Sequence, residues 1–364
     1  MQNLQEMKFV ISNSMETVIN MLNFFIVLTF LFFTGCNPKM QLLQVSDAAS
    51  VTSKDTTNFP TDTSSSNSGV LFDSADYDQR CIALSNGDKS GRWPVKTMYP
   101  KAGAILPFKR VVAYYGNFYS KQMGILGELP EEEMLNKLKT EIAKWEKADS
   151  TAPVQPALQY IAATAQESAC RDGKYRLRMP FKEIDKAIVM AKKIGAIVVL
   201  DIQVGKSTVQ KEIPLLEKYL SMPNVHLGID PEFSMKNGAV PGTEVGTYDG
   251  ADINYVSDYL ASLVQKYSLP PKILILHRFT RRMITNYKSI KILPEVQFVM
   301  DMDGWGSAAR KKNTYRQFVY TEPVQFTGFK IFYKNDTKRI GEKQEMQPAD
   351  VLKLTPKPIY IQYQ

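Results

Sequence analysis

From about Phe108 the chain alternates short apolar runs with amphipathic ones. "RVVAYYG" (Arg110 to Gly116) is apolar, β-branched and aromatic, and glycine closes it. The pattern then changes period. In "LPEEEMLNKLKTEIAKWEKA", Leu135, Leu138, Ile142 and Trp145 share one helical face, behind Pro130 and a first turn of acids. "ALQYIAATA" (Ala157 to Ala165) is the second strand candidate. "FKEIDKAIVMAKKIG" then places Phe181, Ile184, Ile188 and Ala191 on one face and stops at Gly195. "AIVVLDIQ", "VHLGIDPEF", "KILILHRF" and "VQFVMDMDG" supply strands three to six. The helices "EIPLLEKYL" and "DINYVSDYLASLVQKY" and a short one at "RRMITNYKSI" are expected between them. "TGFKIFY" and "PIYIQYQ" supply the last two strands.

Strands separated by helices pair in parallel through right-handed crossovers, and near-continuous apolar strands are buried on both faces. Eight such units predict a (β/α)8 TIM-type barrel, an α/β fold of typically about 250 residues. An open doubly wound sheet is the alternative. For a dinucleotide it would need a glycine-rich turn after an early strand, and "YYGNFYSKQMGILG" does not supply one.

The segment before the barrel has a different character. "MLNFFIVLTFLFFTGC" (Met21 to Cys36) contains an apolar stretch short for a spanning helix and suited to a signal peptide. Its Phe33-Thr34-Gly35-Cys36 ending resembles a bacterial lipoprotein signal, in which the cysteine is lipidated and becomes the mature N-terminus. The resemblance implies Cys36 as the lipidation site and a domain tethered to a membrane leaflet of the bacterial envelope, periplasmic or surface-exposed. "SDAASVTSKDTTNFPTDTSSSNSG" (Ser46 to Gly69) has almost nothing to bury and reads as a flexible tether. The expected organisation is signal peptide 1–35, tether 36–75 and barrel 76–364. Export would place Cys81 and Cys170 where disulfides persist, and the expectation is that these two pair.

Of the 364 residues, 44% are hydrophobic, enough for one large core, and the net charge is +8. The cations are mostly interleaved with acids on the helices, so a solvated surface is expected rather than a nucleic-acid face. The chain has 2 histidines, His226 and His277, with no metal-type spacing between them, which disfavours His-clustered metal hydrolases. His226 reads as a core histidine. "VGKST" after strand three lacks the earlier glycine of a phosphate-binding loop; Gly205 and Ser207 are expected to turn the chain toward the next helix.

In a barrel, the C-terminal strand ends carry the chemistry. Strand three ends Asp201-Ile202-Gln203, strand four Asp230-Pro231-Glu232, strand five His277-Arg278, and strand six Asp301-Met302-Asp303-Gly304-Trp305. Acids at i and i+2 share one face of a strand, so these pairs are expected to converge on the mouth. Buried carboxylates cost several kcal/mol unless paired or protonated, and sites that retain them are usually functional. Such a cluster suits glycoside hydrolysis, which needs one carboxyl kept protonated and a second supporting the oxocarbenium-like centre. Glu232 is the candidate acid, Asp230 its partner, and Asp201 or Asp301 the nucleophile, base or stabiliser. Tyr115, Gln203, His277, Asp303 and Trp305 are candidate substrate-binding residues. Lys206, Arg278, Arg281 and Arg282 are candidates for a basic rim.

"GIDPEF" resembles the Asp-x-Glu strand ending of chitinase-like glycoside hydrolases, which use that Glu as acid; Leu227 and Gly228 stand where that family carries further acid. "LDIQVG", "GIDPEF", "LHRFT" with "MITN", and "MDGWG" resemble a family of uncharacterised secreted bacterial barrel proteins, over Arg110 to Gly306. That resemblance implies the barrel. The expectation is a tethered glycoside hydrolase-like monomer with a carbohydrate substrate, no cofactor and no nucleic-acid partner. A non-catalytic carbohydrate- or envelope-binding barrel is the first alternative. The second is a metal-dependent phosphodiesterase, using His277 with magnesium or calcium on Asp230, Glu232 and Asp301.

Overall fold

A computed structural model of the chain describes residues 72–337 and 344–364. The signal segment, Cys36 and nearly all of the tether span lie outside the described residues. The described chain opens with helix α1 (Ser74–Ser85), whose N-cap Asp73 accepts from the backbone N–H groups of Ala75 and Asp76. This helix begins within the last residues of the expected tether.

The remainder is a closed barrel of eight parallel strands. In chain order they are β1 (Arg110–Gly116), β2 (Val154–Ala165), β3 (Ile197–Ile202), β4 (Val225–Ile229), β5 (Lys272–Arg278), β6 (Val296–Met302), β7 (Phe326–Ile331) and β8 (Tyr360–Tyr363). Each pairs with its chain neighbour, and β8 returns to β1, with Val111 opposite Tyr360 on one side and Gln155 on the other. All eight strands are where the apolar runs predicted them. The longer helices on the outside are α2 (Glu131–Ala148), α3 (Phe181–Lys192), α4 (Gly250–Lys266) and α5 (Ala308–Tyr315).

Helix α2 shows why these segments form as they do. Glu131, Glu132 and Glu133 complement the positive end of its dipole, and Met134, Leu135, Leu138 and Trp145 face the barrel. Trp145 Nε1 donates to Tyr363 Oη of β8 at 2.9 Å, and Arg110 of β1 lies over the Trp145 ring while pairing with Asp149 at 2.8 Å. One helix thus pins the two strands that close the barrel.

Three expected helices differ. "EIPLLEKYL" is not one helix: a turn at Val209–Glu212, a 3-10 turn at Ile213–Leu216 and a turn at Glu217–Leu220 follow one another. Pro214, which has no backbone N–H to donate, sits in the middle segment. Around "RRMITNYKSI" there are two 3-10 turns, Arg281–Met283 and Tyr287–Ser289, flanking a two-residue strand that pairs with Tyr248–Asp249. Phe181, assigned to the buried face of α3, is 50% exposed.

Alternation along the strands divides the barrel interior into two halves. The lower half, toward the strand starts, is apolar: Val111, Ala113, Val199, Ile275, Val299 and Phe326 meet there. Helix α1 covers this pole through Tyr77 and Leu84. The upper half is polar and holds the inward side chains described below. The expected Cys81–Cys170 disulfide is not formed. Cys81 belongs to α1 beneath the barrel, whereas Cys170 lies in the loop that follows the C-terminal end of β2, at the opposite pole. Bridged cysteines need Cα atoms within about 7 Å, and a barrel strand's length separates these two. Burial pushes the Cys81 thiol up to about 12, the pKa of an inert packing thiol rather than a reactive one.

Candidate functional site at the barrel mouth

The upper interior is built around His277, at the end of β5. Its Nε2 lies 3.0 Å from Asp201 Oδ1 on β3, and its Nδ1 lies 3.0 Å from Asp303 Oδ2, just past β6. Asp201 is held from two further strands: Tyr115 Oη of β1 donates to Oδ2 at 3.1 Å, and Gln159 Nε2 of β2 donates to Oδ1 at 3.0 Å. On the other side, Lys330 Nζ of β7 pairs with Asp303 Oδ1 at 2.9 Å and stands 4.0 Å above the Tyr115 ring. Gln159 Oε1 accepts from Tyr360 Oη and Gln362 Nε2, both on β8. Side chains from six strands, with Asp303 just past a seventh, thus meet in one network.

Two glycines make room for it. Asp201 stands opposite Gly228 in the β3–β4 register, and Asp301 opposite Gly328 in the β6–β7 register. A Cβ on Gly228 would lie 2.2 Å from Asp201 Oδ1, and one on Gly328 would lie 2.4 Å from Asp301 Oδ1. The glycine that departs from the chitinase-like pattern is therefore the space an inward carboxylate occupies.

The acid pair at the end of β4 sits at the edge of this network. Asp230 caps the 3-10 turn Pro231–Phe233, accepting from the Glu232 backbone N–H at 3.0 Å. Its other oxygen accepts from Gln203 Nε2 at 3.4 Å, and Gln203 Oε1 in turn accepts from the Ala165 N–H. The Glu232 carbonyl accepts from Gly246 N–H at 2.6 Å, so the long loop after β4 folds back and fixes the turn. Asp201, His277 and Asp301 are 0% exposed and Asp303 8%, whereas Glu232 keeps a partly exposed edge.

These surroundings separate the protonation states. Burial disfavours a charged ring at His277, but Asp201 and Asp303 outweigh it and hold the imidazolium well above the ordinary histidine range. Burial likewise opposes ionisation of Asp303, yet Lys330 and His277 keep it below the usual carboxylate range. Glu232 goes the other way: its packed surroundings, with Asp230 adding, push it well above. Burial also lifts Asp230 and Asp301 to about 7. Asp301 receives no hydrogen bond at either oxygen, and the His277 ring 3.7 Å away only partly offsets its burial. The cluster therefore contains both a carboxyl that keeps its proton and one that has lost it.

Of the residues expected at the site, Tyr115, Asp201, His277 and Asp303 are joined directly, and Gln203 joins Asp230 and Glu232. Asp301 is adjacent but makes no hydrogen bond. Trp305 is half-buried, with Arg310 over its ring at 5.5 Å. The expected basic rim is not assembled as such. Arg278 is fully buried: it pairs with Glu322 of the β6–β7 connection at 2.6 Å and donates to the Thr280 and Arg281 carbonyls of the β5–β6 connection. Lys206 lies 3.8 Å over the Tyr175 ring. Gly205, at φ +57°, turns the chain there with Ser207 bonded to Glu212. His226 is a core histidine, its Nδ1 accepting from Ile273 N–H at 3.0 Å.

Gln159, Lys330, Tyr360 and Gln362 were not expected at the site. A signal existed: Gln159, Lys330 and Gln362 are each a lone polar residue within an apolar strand run, "ALQYI", "GFKIF" and "YIQY". Among the described residues, no group of three or more His, Cys, Asp or Glu side chains is arranged to hold a metal ion.

No family model matches the chain, and no curated protein matches it. Among solved structures, it is similar to the crystal structure of a ruminal GH26 endo-β-1,4-mannanase, at 11% sequence identity and a TM-score of 0.33. The match covers 70% of this chain and 58% of that one, less than two thirds of its length.

Proposed function

We propose that this barrel is a glycoside hydrolase-like protein acting on a poly- or oligosaccharide, with Glu232 as the general acid and Asp230 as its partner. One observation carries the reading: of the five clustered carboxyls, Glu232 is the one with an exposed edge, and its surroundings keep its proton on. An acid must reach the glycosidic oxygen and still hold a proton near neutral pH. Asp201 and Asp301 are the candidates for the second carboxyl group. The lipoprotein-like ending at Cys36 is the ground for a location at the bacterial envelope, tethered by lipid.

A second reading, a non-catalytic carbohydrate-binding barrel, is favoured by the engagement of Asp201. Its Oδ1 serves Gln159 and His277, and its Oδ2 serves Tyr115, so no oxygen is spare for attack.

The test is a panel of neutral and acidic polysaccharides, scored for reducing-end release with and without chelator. Glu232→Gln should lower turnover by about 10²–10⁴-fold, the usual share of a general acid, while binding by affinity electrophoresis persists. Undiminished turnover in that variant would remove Glu232 from the role. Binding without hydrolysis by the wild type would select the second reading. Turnover abolished by chelator would make the hydrolysis metal-assisted and remove the carboxylate-only mechanism.

A further inference from the structure

We propose that Lys330 is the positioning residue of the mouth. By closing a circuit of five side chains, it fixes Asp303, rather than Asp201 or Asp301, as the carboxylate that works with Glu232. This rests on the glycan-site reading and names the second group that the reading requires.

The circuit can be followed atom by atom. Tyr115 Oη donates to Asp201 Oδ2 at 3.1 Å, and Asp201 Oδ1 meets His277 Nε2 at 3.0 Å. His277 Nδ1 stands 3.0 Å from Asp303 Oδ2, and Asp303 Oδ1 meets Lys330 Nζ at 2.9 Å. Lys330 Nζ then returns to the Tyr115 ring face at 4.0 Å, within cation–π range. Two carboxylates and two cations alternate, so the circuit is neutral as a whole. The titratable groups facing it are Asp230 and Glu232 after β4, Tyr248 before α4, Asp301 on β6, Lys311 on α5 and Tyr360 on β8.

Asp201 and Asp301, the two candidates for the second carboxylate, are not equivalent to Asp303. Asp201 is fully buried and bonded through both oxygens, with Gly228 at its back. Asp301 is fully buried beside Gly328 and has no cation within hydrogen-bond distance. Asp303 lies past the end of β6, nearest the mouth, and has a cation on each oxygen. Those two cations differ as well: His277 is divided among Asp201, Asp303 and, at 3.7 Å, Asp301, whereas among the described residues Lys330 pairs with Asp303 alone. Without Lys330, three buried carboxyl groups share one imidazolium. Such an arrangement is relieved by protonating one of them. Asp303 would take the proton, and His277 would lose an anionic partner.

The test needs no substrate, so it fails separately from the glycan reading. The chain has 2 histidines, so ¹⁵N-histidine labelling of the full chain gives two ring systems, assigned with a His226→Asn variant. In the wild type, the His277 ring should stay doubly protonated through pH 8. In Lys330→Met and in Lys330→Gln, its titration midpoint should fall by at least one pH unit, a tenfold loss of proton affinity, with the circular dichroism spectrum unchanged. A residue that served only packing would leave the midpoint where it was. An unchanged or raised midpoint in either folded variant overturns the proposal. So does a wild-type His277 that is neutral at pH 7, a measurement that decides even if neither variant folds.

Discussion

Replacing Gly228 by alanine tests whether the buried carboxylate network is as closely fitted as the barrel interior implies. The new Cβ would lie 2.2 Å from Asp201 Oδ1 and 2.9 Å from Gln159 Nε2. Ordinary carbon–oxygen contact requires roughly 1 Å more than the first of these. The Asp201 side chain has nowhere neutral to go, because three hydrogen bonds of 3.0–3.1 Å hold it. A shift of that size takes a 3.0 Å bond to about 4 Å, beyond hydrogen-bonding range. Overpacking costs about 1–3 kcal/mol, and a lost hydrogen bond to a charged group about 1.5–3 kcal/mol. The terms are not additive, so the expected loss is about 3–5 kcal/mol. At about 2–4 °C per kcal/mol for domains of this order of size, Tm should fall by on the order of 10 °C. Gly304 is the internal control, since its Cβ would make only 3.4 Å contacts and Gly304→Ala should change little. Urea unfolding followed by circular dichroism, with equal m-values for the variants, measures the difference. A Gly228→Ala protein within about 0.5 kcal/mol of the wild type would refute the close fit, because that is the range of an inconsequential substitution.

Two further outcomes follow from the same geometry. Asp301 has a pKa raised by burial from 3.8 to about 7 in the folded chain, so its contribution to stability is full below pH 3.8 and lost as pH rises to about 7. Asp301→Asn removes that loss and should match the wild type near pH 4 but be more stable at pH 8, by on the order of 2 kcal/mol once coupling to His277 and Asp303 is discounted; equal stability at pH 8 in urea titrations would contradict the assignment. A non-reducing digest of the purified chain should yield no Cys81–Cys170 peptide, and recovery of one would contradict their placement at opposite poles.

The strands were legible because a barrel strand is buried on both faces, and an uninterrupted apolar run announces that without knowledge of its neighbours. Two helices were not. Helix α1 buries only Tyr77 and Ser85 fully, so its sequence "SADYDQRCIALS" carries little periodic signal. Helix α5, "AARKKNTY", is anchored by a buried lysine: Lys311 Nζ reaches the Lys330 carbonyl at 2.7 Å and the Asp336 carboxylate. Hydrophobic periodicity cannot detect a helix whose anchoring residue is charged. Pro214 was visible, but whether it would break the turn or begin it depended on the packing around it.

The site was legible to the depth of a single strand. The i, i+2 rule correctly turned Asp301 and Asp303 to the same interior, and it marked the ends of β3 and β4 as acidic. What it could not supply was register, because register relates residues far apart in the chain. Gly228 reads as a missing acid while β4 is considered alone; set opposite Asp201, it is the space that lets that acid point inward. The same pairing recurs at Asp301 and Gly328. Lys330 reads as a stray cation in an apolar strand until β7 is set beside β6, where it becomes the counter-ion of Asp303. Each inward carboxylate is thus matched on a neighbouring strand, by absent volume for Asp201 and Asp301 and by added charge for Asp303. An inward acid with neither complement would clash or stand uncompensated in a dry interior. A search for such sites in sequence therefore gains most from pairing strand-end acids with the glycines and lone cations of adjacent apolar runs.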